Sequence, residues 1–294
     1  MSTSRKGIIL AGGTGSRLWP LTVVSTKQLL PIYDKPMIYY PLTTLMLAGI
    51  RDVLIITAEP EVSRFEALLG DGSQWGIRIG YAVQPQPDGI AKAFIIGEKF
   101  IDGDSCALIL GDNIFYGAGL GEFVQRSASS DSKATVFCHW VNNASRYGIL
   151  EFDGEGLPVG IEEKPKQPKS NWAVTGLYFY DASIVDVARK LKPSPRGELE
   201  ITDANRVYLE AGRLDVQKLG RGFAWFDAGT HHSLLQASEF IYTIEERQGL
   251  KIGCPEEVAY RMGFIDAPTL ERLVAPIADS DYGAYLHRVL SSSS

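Results

Sequence analysis

Cysteine is scarce. The chain has three in 294 residues (Cys106, Cys138, Cys254) and no C-x-x-C pair. Neither a disulfide framework nor a cysteine zinc site is indicated, and the thiols are expected reduced. No apolar run approaches the roughly 18 residues that a membrane-spanning helix needs. Met1–Lys6 is polar, and Gly7–Ala11 is too brief for the apolar region of a signal peptide, so a cytoplasmic location is expected. G-x-S-x-G is absent, which excludes a nucleophile elbow, and so is H-E-x-x-H. The four histidines (His139, His231, His232, His287) make no metal spacing beyond the adjacent His231-His232, whose side chains point apart on a helix. Positive charge is in the minority. Lys and Arg number 29 against 35 Asp and Glu, a net charge of −6. That balance argues against nucleic acid and anionic membrane surfaces as partners. It does not argue against a small phosphorylated ligand, which feels only the local field.

What is present is ordinary globular material: 45% apolar and 22% charged residues, enough for a large core. Gly7–Ala11, Asp52–Thr57, Gly80–Val83 and Cys106–Leu110 are short apolar runs ended by turn residues, the pattern of strands covered on both faces. Helical patterns at Met37–Ala48, Pro60–Leu69 and Ile90–Phe100 lie between them, with Gly49 and Gly70 where C-cap glycines belong. Pro41 conflicts with the first helix, which must begin there or kink. Lys133–Trp140, Tyr147–Phe152, Val159–Glu163 and Ala173–Tyr180 read as strands with few helices between, hence antiparallel additions. Helices resume at Ala182–Leu191 and Leu199–Ala211, then strands at Leu214–Leu219 and Phe223–Phe226, then a long helix from about His231 to Gln248. The expected fold is α/β: a doubly wound, mostly parallel (Rossmann-like) sheet with added antiparallel strands and a helical C-terminal appendage. Residues 1–250 form the core, 251–290 the helical segment, and Ser291–Ser294 a mobile tail.

The strongest local signal follows the first strand: Ala11-Gly12-Gly13-Thr14-Gly15-Ser16-Arg17-Leu18. Ligands of open parallel sheets bind beyond the carboxyl ends of the strands, and three glycines let backbone N–H groups approach an anion. The Walker pattern is absent. G-x-G-x-x-G fits only partly, because Leu18 stands where the third glycine would pack. Instead Arg17 follows the glycines directly, and Lys27 comes ten residues later, before Gln28. Two cations on one loop suit a polyphosphate; the alternative is a plain tight turn with solvated basic residues.

Asp112 and Asp227 each follow an apolar strand, in Leu110-Gly111-Asp112-Asn113 and Phe226-Asp227-Ala228-Gly229. Either alone reads equally as a cap or turn former. Together, at one sheet edge, they would suit a Mg²⁺ that completes its octahedron with phosphate oxygens and water. Glu163 could bind sugar hydroxyls and Lys164 a phosphate, or both could be a solvated strand end. Gln84 could read a base edge, with Asp88 capping the next helix. Arg146-Tyr147-Gly148 and Asn171–Gly176 could line a second pocket.

These residues carry a family resemblance. Gly12–Thr22, Lys27-Gln28-Leu29-Leu30-Pro31, Tyr33–Leu42, Leu110–Asn113, Arg146-Tyr147-Gly148, Glu162–Pro165, Pro193–Asp203 and Trp225–Thr230 resemble the signatures of sugar-1-phosphate nucleotidylyltransferases, within them the thymidylyltransferases acting on glucose 1-phosphate. The resemblance implies dTTP and glucose 1-phosphate as substrates, dTDP-glucose and pyrophosphate as products, Mg²⁺ as cofactor and a place in dTDP-L-rhamnose synthesis. It divides the core into a nucleotide-binding half, about 1–130, and a sugar-binding half, about 131–250. It implies that Gly12, Gly15, Ser16, Arg17, Lys27 and Gln28 hold the triphosphate, with Asp112 and Asn113 beside it, and that Gln84 and Gly89 face the base. Asp112 and Asp227 would bind Mg²⁺. Tyr147, Gly148, Glu163 and Val174 would contact the sugar and Lys164 its phosphate. Arg17, Lys27, Lys164, Asp112 and Asp227 would carry catalysis. A homotetramer with a regulatory nucleotide-sugar site is implied, for which Tyr116, Gly117, Lys251 and Arg261 are candidates. Rival expectations are a uridylyl- or other nucleotidylyltransferase, a non-catalytic regulator that binds nucleotide-sugar, and a dinucleotide oxidoreductase, the last disfavoured by Leu18.

Overall fold

The computed structural model describes residues 5–13, 15–129 and 133–292. The first half alternates strands and helices. The strands are β1 (Lys6–Leu10), the small hairpin β2 (Pro31–Ile32) and β3 (Lys35–Pro36), β4 (Asp52–Thr57), β5 (Arg78–Val83), β6 (Cys106–Leu110) and β7 (Asn113–Gly117). The helices are α1 (Tyr39–Leu47), α2 (Val62–Leu69), α3 (Lys92–Ile96), α4 (Glu98–Ile101) and α5 (Leu120–Ala128). The second half holds β8 (Ala134–Trp140), β9 (Gly148–Phe152), β10 (Pro158–Glu163), β11 (Trp172–Tyr180), α6 (Ile184–Lys190), α7 (Ile201–Glu210), β12 (Leu214–Leu219), β13 (Phe223–Asp227) and α8 (His231–Gln248). The C-terminal segment is α9 (Pro255–Arg261), α10 (Ala267–Val274) and α11 (Asp281–Ser292).

Nine strands form one sheet in the order β10-β9-β11-β6-β1-β4-β5, with β8 paired to β11 and to β12. β1 lies between β4 and β6 and is parallel to both, and β4 is parallel to β5. The chain winds from β1 outward to β5 and then returns to the other side of β1 as β6. The strand order therefore reverses between β1 and β6, and a crevice opens at their carboxyl ends, the place where such sheets bind ligands. β11 runs antiparallel to β6, β8 and β9, so the middle segments add antiparallel strands.

Alternation within strands feeds two cores. Ile9 joins Leu42, Leu45, Phe65 and Leu69 on one face, while Ile8 joins Phe94, Ile184 and Tyr208 on the other. Each such side chain removed from water contributes about 1.5–3 kcal/mol. Pro41 resolves its conflict by position: it is the third residue of α1, where its missing N–H would have no intrahelical partner. The helix expected over Ile90–Phe100 is two short ones broken at Gly97, where a Cβ would lie 3.1 Å from the Ile8 side chain and from Ala93 O. Asp88 does not cap it. The N-cap position is Ala91, and Asp88 instead accepts from Gln84 Nε2 at 3.0 Å. No helix of the dinucleotide kind follows the glycine loop. Ser16–Leu18 is a single 3-10 turn, and Leu18 is buried beneath it. Of the expected tail, Ser291 and Ser292 continue α11, and Ser293 and Ser294 lie outside the described residues. Among the described residues no helix is long and apolar enough to cross a membrane.

The cysteines are free and buried. Burial pushes the Cys106 and Cys138 thiols up to about 12, against Arg5 and Lys218 respectively, and Cys254 well above its ordinary value. Thiolate is the reactive form. The native protein at about pH 8 is expected to leave a thiol reagent such as DTNB unconsumed, whereas the guanidinium-unfolded chain consumes three equivalents. Rapid reaction of the native protein would show that a thiol is exposed.

Candidate active site

The loops after β1 and β6 meet at the reversal point. The Leu110–Asn113 segment turns sharply, and β7 leaves the main sheet to pair antiparallel with β13, setting Asn113 opposite Asp227. The backbone closes the junction, with Ala228 N donating to Asp112 O at 3.0 Å. This two-stranded ribbon brings the two aspartates together. Asp112 is nearly buried and forms an ion pair through Oδ2 with Lys27 Nζ. Its Oδ1 accepts from Asn113 Nδ2 at 3.0 Å. Asn113 is itself fixed, since its Oδ1 accepts from Trp225 Nε1 at 2.6 Å and from Gly176 N at 3.0 Å. Asp227 faces Arg146 at 3.9 Å. Arg17 lies alongside: a Cβ on Gly229 would be 2.9 Å from both Arg17 Nη2 and Asp227 Oδ1, so a side chain there would make one of them shift.

The two carboxyls are driven apart in acidity. Burial raises Asp112, but the Lys27 charge and hydrogen bond, with the Asn113 amide, outweigh it and hold the group below its ordinary value. Asp227 is pushed up by burial and then by the Asp112 charge, against Lys27, Arg17 and Arg146. Two carboxylates that repel one another are a ready seat for a cation. The donor set is all oxygen, and no histidine or cysteine lines the site, which fits a hard cation such as Mg²⁺. Among the described residues no group of three or more His, Cys, Asp or Glu could hold a metal, so a cation held by these two carboxylates would need further ligands from outside this set.

Two cavities meet at this point. One, of about 290 Å³, is lined by Gly12, Gly13, Arg17, Lys27, Gln28, Gln84, Pro87 and Gly89. The other, of about 210 Å³, is lined by Tyr147, Gly148, Glu163, Lys164, Val174, Gly176 and Trp225, together with Asn113 and Asp227. Arg17, Ile90, Leu110, Asp112 and Glu198 line both. Sequence-derived candidates for a nucleotide and for a sugar phosphate therefore fall largely into separate, adjoining spaces. Gly15 and Ser16 line neither; Gly15 opens the 3-10 turn at φ +58°, and Thr14 lies outside the described residues.

The second cavity holds residues to which the sequence assigned no role. Arg196 reaches Glu200 at 2.8 Å and Glu163 at 3.3 Å, and Thr202 Oγ1 donates to Glu163 at 2.5 Å. Arg196 and Glu200 come from the segment between α6 and α7, where charge is concentrated among Pro and Gly at Pro193–Glu200, and Thr202 from the first turn of α7. The Trp225 ring lies tilted against Tyr147, centroids 5.2 Å apart, and burial raises the Tyr147 phenol. Lys164 follows β10 at φ +44°, with Nζ 3.4 Å from Glu163 and its side chain 45% exposed. Lys164→Ala keeps a Cβ, so backbone strain is unchanged and the loss reads the charge. Turnover is expected to fall by roughly 10²-fold with an unaltered melting temperature; near-normal turnover would remove Lys164 from the machinery.

The four regulatory candidates line neither cavity. Tyr116 donates to Gln248 Oε1 at 3.1 Å, Gly117 packs against the Phe223 ring, Lys251 pairs with Asp34 and with Glu245 at 2.8 Å, and Arg261 pairs with Glu257 at 2.7 Å.

Comparison with known proteins bears on this geometry. Residues 6–244 match the family model described as nucleotidyl transferase. The chain is 60% identical to a glucose-1-phosphate thymidylyltransferase of Xanthomonas campestris pv. campestris, over 97% of this chain and 96% of that one. It is 56% identical to one of Mycobacterium tuberculosis, over 97% and 99%. Among solved structures, it is similar to a protein of Bacillus anthracis described as a glucose-1-phosphate thymidylyltransferase in complex with sucrose (TM-score 0.74, 42% identity, 80% of this chain and 94% of that one). It is also similar to a UDP-glucose pyrophosphorylase complexed with UDP-glucose (TM-score 0.70, 26% identity, 82% and 99%).

Proposed function

The chain belongs to the nucleotidyl transferase family, and from that premise we propose that it transfers dTMP from dTTP to α-D-glucose 1-phosphate, giving dTDP-glucose and pyrophosphate. The observation that carries this reading is the meeting of two cavities at Asp112 and Arg17, one built on the glycine loop and one on the sugar side of the sheet. A phosphate oxygen of the sugar phosphate attacks the α-phosphorus in line, and pyrophosphate departs on the opposite side. Both reactants are anions, so the protein's task is to neutralise and align them rather than to supply a nucleophile. Arg17 and Lys27 face the triphosphate, with Gly12, Gln28 and the glycine-loop N–H groups. Gln84 and Gly89 take the base. Tyr147, Gly148, Glu163 and Val174 take the sugar, and Lys164 takes its phosphate. Asp112 and Asp227 would hold Mg²⁺, which when bound draws charge from the phosphates.

The same reading extends to a division of labour near residue 130, to a supply of dTDP-glucose for dTDP-L-rhamnose synthesis in the cytoplasm, and to a homotetramer regulated near Tyr116, Gly117, Lys251 and Arg261. The test is pyrophosphate release from dTTP plus glucose 1-phosphate, with and without Mg²⁺, in competition with UTP and ATP. Release is expected with dTTP, abolished by EDTA. No release would refute the activity. Preference for UTP would reassign the base, which is the fine point here, because one methyl is worth only ~1–3 kcal/mol and a UDP-glucose pyrophosphorylase shares the fold.

A further inference from the structure

Lys27 has two claims on it. Its ammonium sits on Asp112 Oδ2, yet the same side chain lines the glycine-loop cavity assigned above to the triphosphate. Asp112 also has two claims on it, from Lys27 and from a metal. Its Oδ1 is committed to Asn113 Nδ2, and Asn113 is locked from behind by Trp225 and Gly176. Oδ2 is therefore the oxygen that can change partner, and Lys27 is the partner that can move, on four methylenes. The pair is shielded, with side-chain exposures of 15% for Lys27 and 9% for Asp112, so solvent and salt screen it weakly. A carboxylate this buried stays charged only while a cation faces it, and a dication arriving while Lys27 is seated meets like charge.

We propose that Lys27 is an exchangeable counter-ion: it occupies Asp112 in the free protein and passes to the nucleotide phosphates when a metal takes Asp112. Each event then favours the other. Metal at Asp112 releases a phosphate-binding cation, and phosphate capturing Lys27 vacates the metal's oxygen, a reciprocal coupling between two ligands. The free protein holds metal poorly, and metal and nucleotide load together. This inference rests on the reading of Asp112 and Asp227 as the metal pair.

The experiment measures Mn²⁺ binding to the nucleotide-free protein by electron paramagnetic resonance of the unbound ion. Lys27→Met is expected to tighten Mn²⁺ binding about tenfold, within the usual range for coupled ligands, whereas Lys27→Arg, which keeps the charge, leaves it near wild type and Asp112→Asn abolishes it. Tightening of the same size in dTTP-saturated protein would mean general repulsion rather than exchange, and would overturn the proposal. If Asp112→Asn abolishes Mn²⁺ binding but Lys27→Met does not tighten it, the exchange fails and the metal pair stands. If Asp112→Asn leaves Mn²⁺ binding intact, the metal reading fails and the exchange with it. A second arm does not need the Lys27→Met single variant: in EDTA, Asp112→Asn is expected to tighten dTTP binding because Lys27 is released. Absence of that gain, or an equal gain in a Lys27→Met background, overturns the proposal.

Discussion

Asp112→Asn is expected to lower turnover by about 10²–10³-fold, the scale of removing one charged group aimed at the reacting phosphates, while the fold stays intact. The two halves of this expectation have separate causes. Activity falls because the site loses the charge that would hold the metal and an oxygen that Asn replaces with an N–H₂ on one side. Stability is subject to two opposing effects. Lys27 loses its buried partner, which destabilises the folded chain. Asp227 loses the repulsion that pushes its carboxyl up, which stabilises it. The sign follows from linkage: a raised folded-state carboxyl binds its proton more tightly than the unfolded chain does, so its stability contribution is full at low pH and is lost as pH rises through the raised value. Removing the Asp112 charge lowers that value. The check is turnover alongside a melting curve and a carbon-13 titration of Asp227. A variant that turns over normally, or an Asp227 titration that does not shift downward, contradicts the arrangement.

Glu245→Ala is expected to lower the melting temperature by about 10 °C or more with the chemistry of the site unaltered in any folded fraction. Glu245 is buried near the end of α8. It accepts from Lys35 at 2.9 Å, from Lys251 at 2.8 Å and from Ile252 N at 2.8 Å. Asp34 completes the cluster, pushed up by burial but held lower overall by Lys251 and Lys35. Lys35 is 2% exposed, so removing Glu245 leaves two ammonium groups sharing one carboxylate inside the protein. Breaking a buried pair in this way costs about 3–5 kcal/mol. The cluster ties the β2–β3 hairpin and the chain entering α9 to α8. Glu245→Gln retains an acceptor for Ile252 N and should fall less far. Equal melting temperatures for Ala and wild type would show that the cluster is not a tie.

Much of this was legible in the sequence because it depends on local chemistry. β4, β6, β12 and α8 have the boundaries expected from runs and turn residues, since a strand buried on both faces and a helix with caps leave marks within a few residues. Thr230 and Ser233 cap α8 reciprocally, a local signal. Other elements were missed for physical reasons. β7 is five residues long and follows the Gly111-Asp112 turn, too short a run to stand out as a strand beside the longer ones. Its identity as a strand comes only from its partner, β13. Arg196 and Thr202 carry no role legible in the sequence, because nothing near them along the chain says that they face Glu163.

Sequence alone determined the inventory. Glycines followed by Arg17 and Lys27, aspartates after apolar strands, and no recognised nucleophile motif are what the proposed phosphate chemistry starts from. These are properties of residue type and short spacing, which need no third dimension. Tertiary structure decided the meeting of Asp112 with Asp227 across the β7–β13 ribbon, the engagement of Lys27 with a carboxylate rather than with solvent, and the separation of the candidates into two cavities that share a wall. The reason is that charge acts through space: what a carboxylate or ammonium does depends on burial and on neighbours a few ångströms away, and those neighbours come from segments distant along the chain.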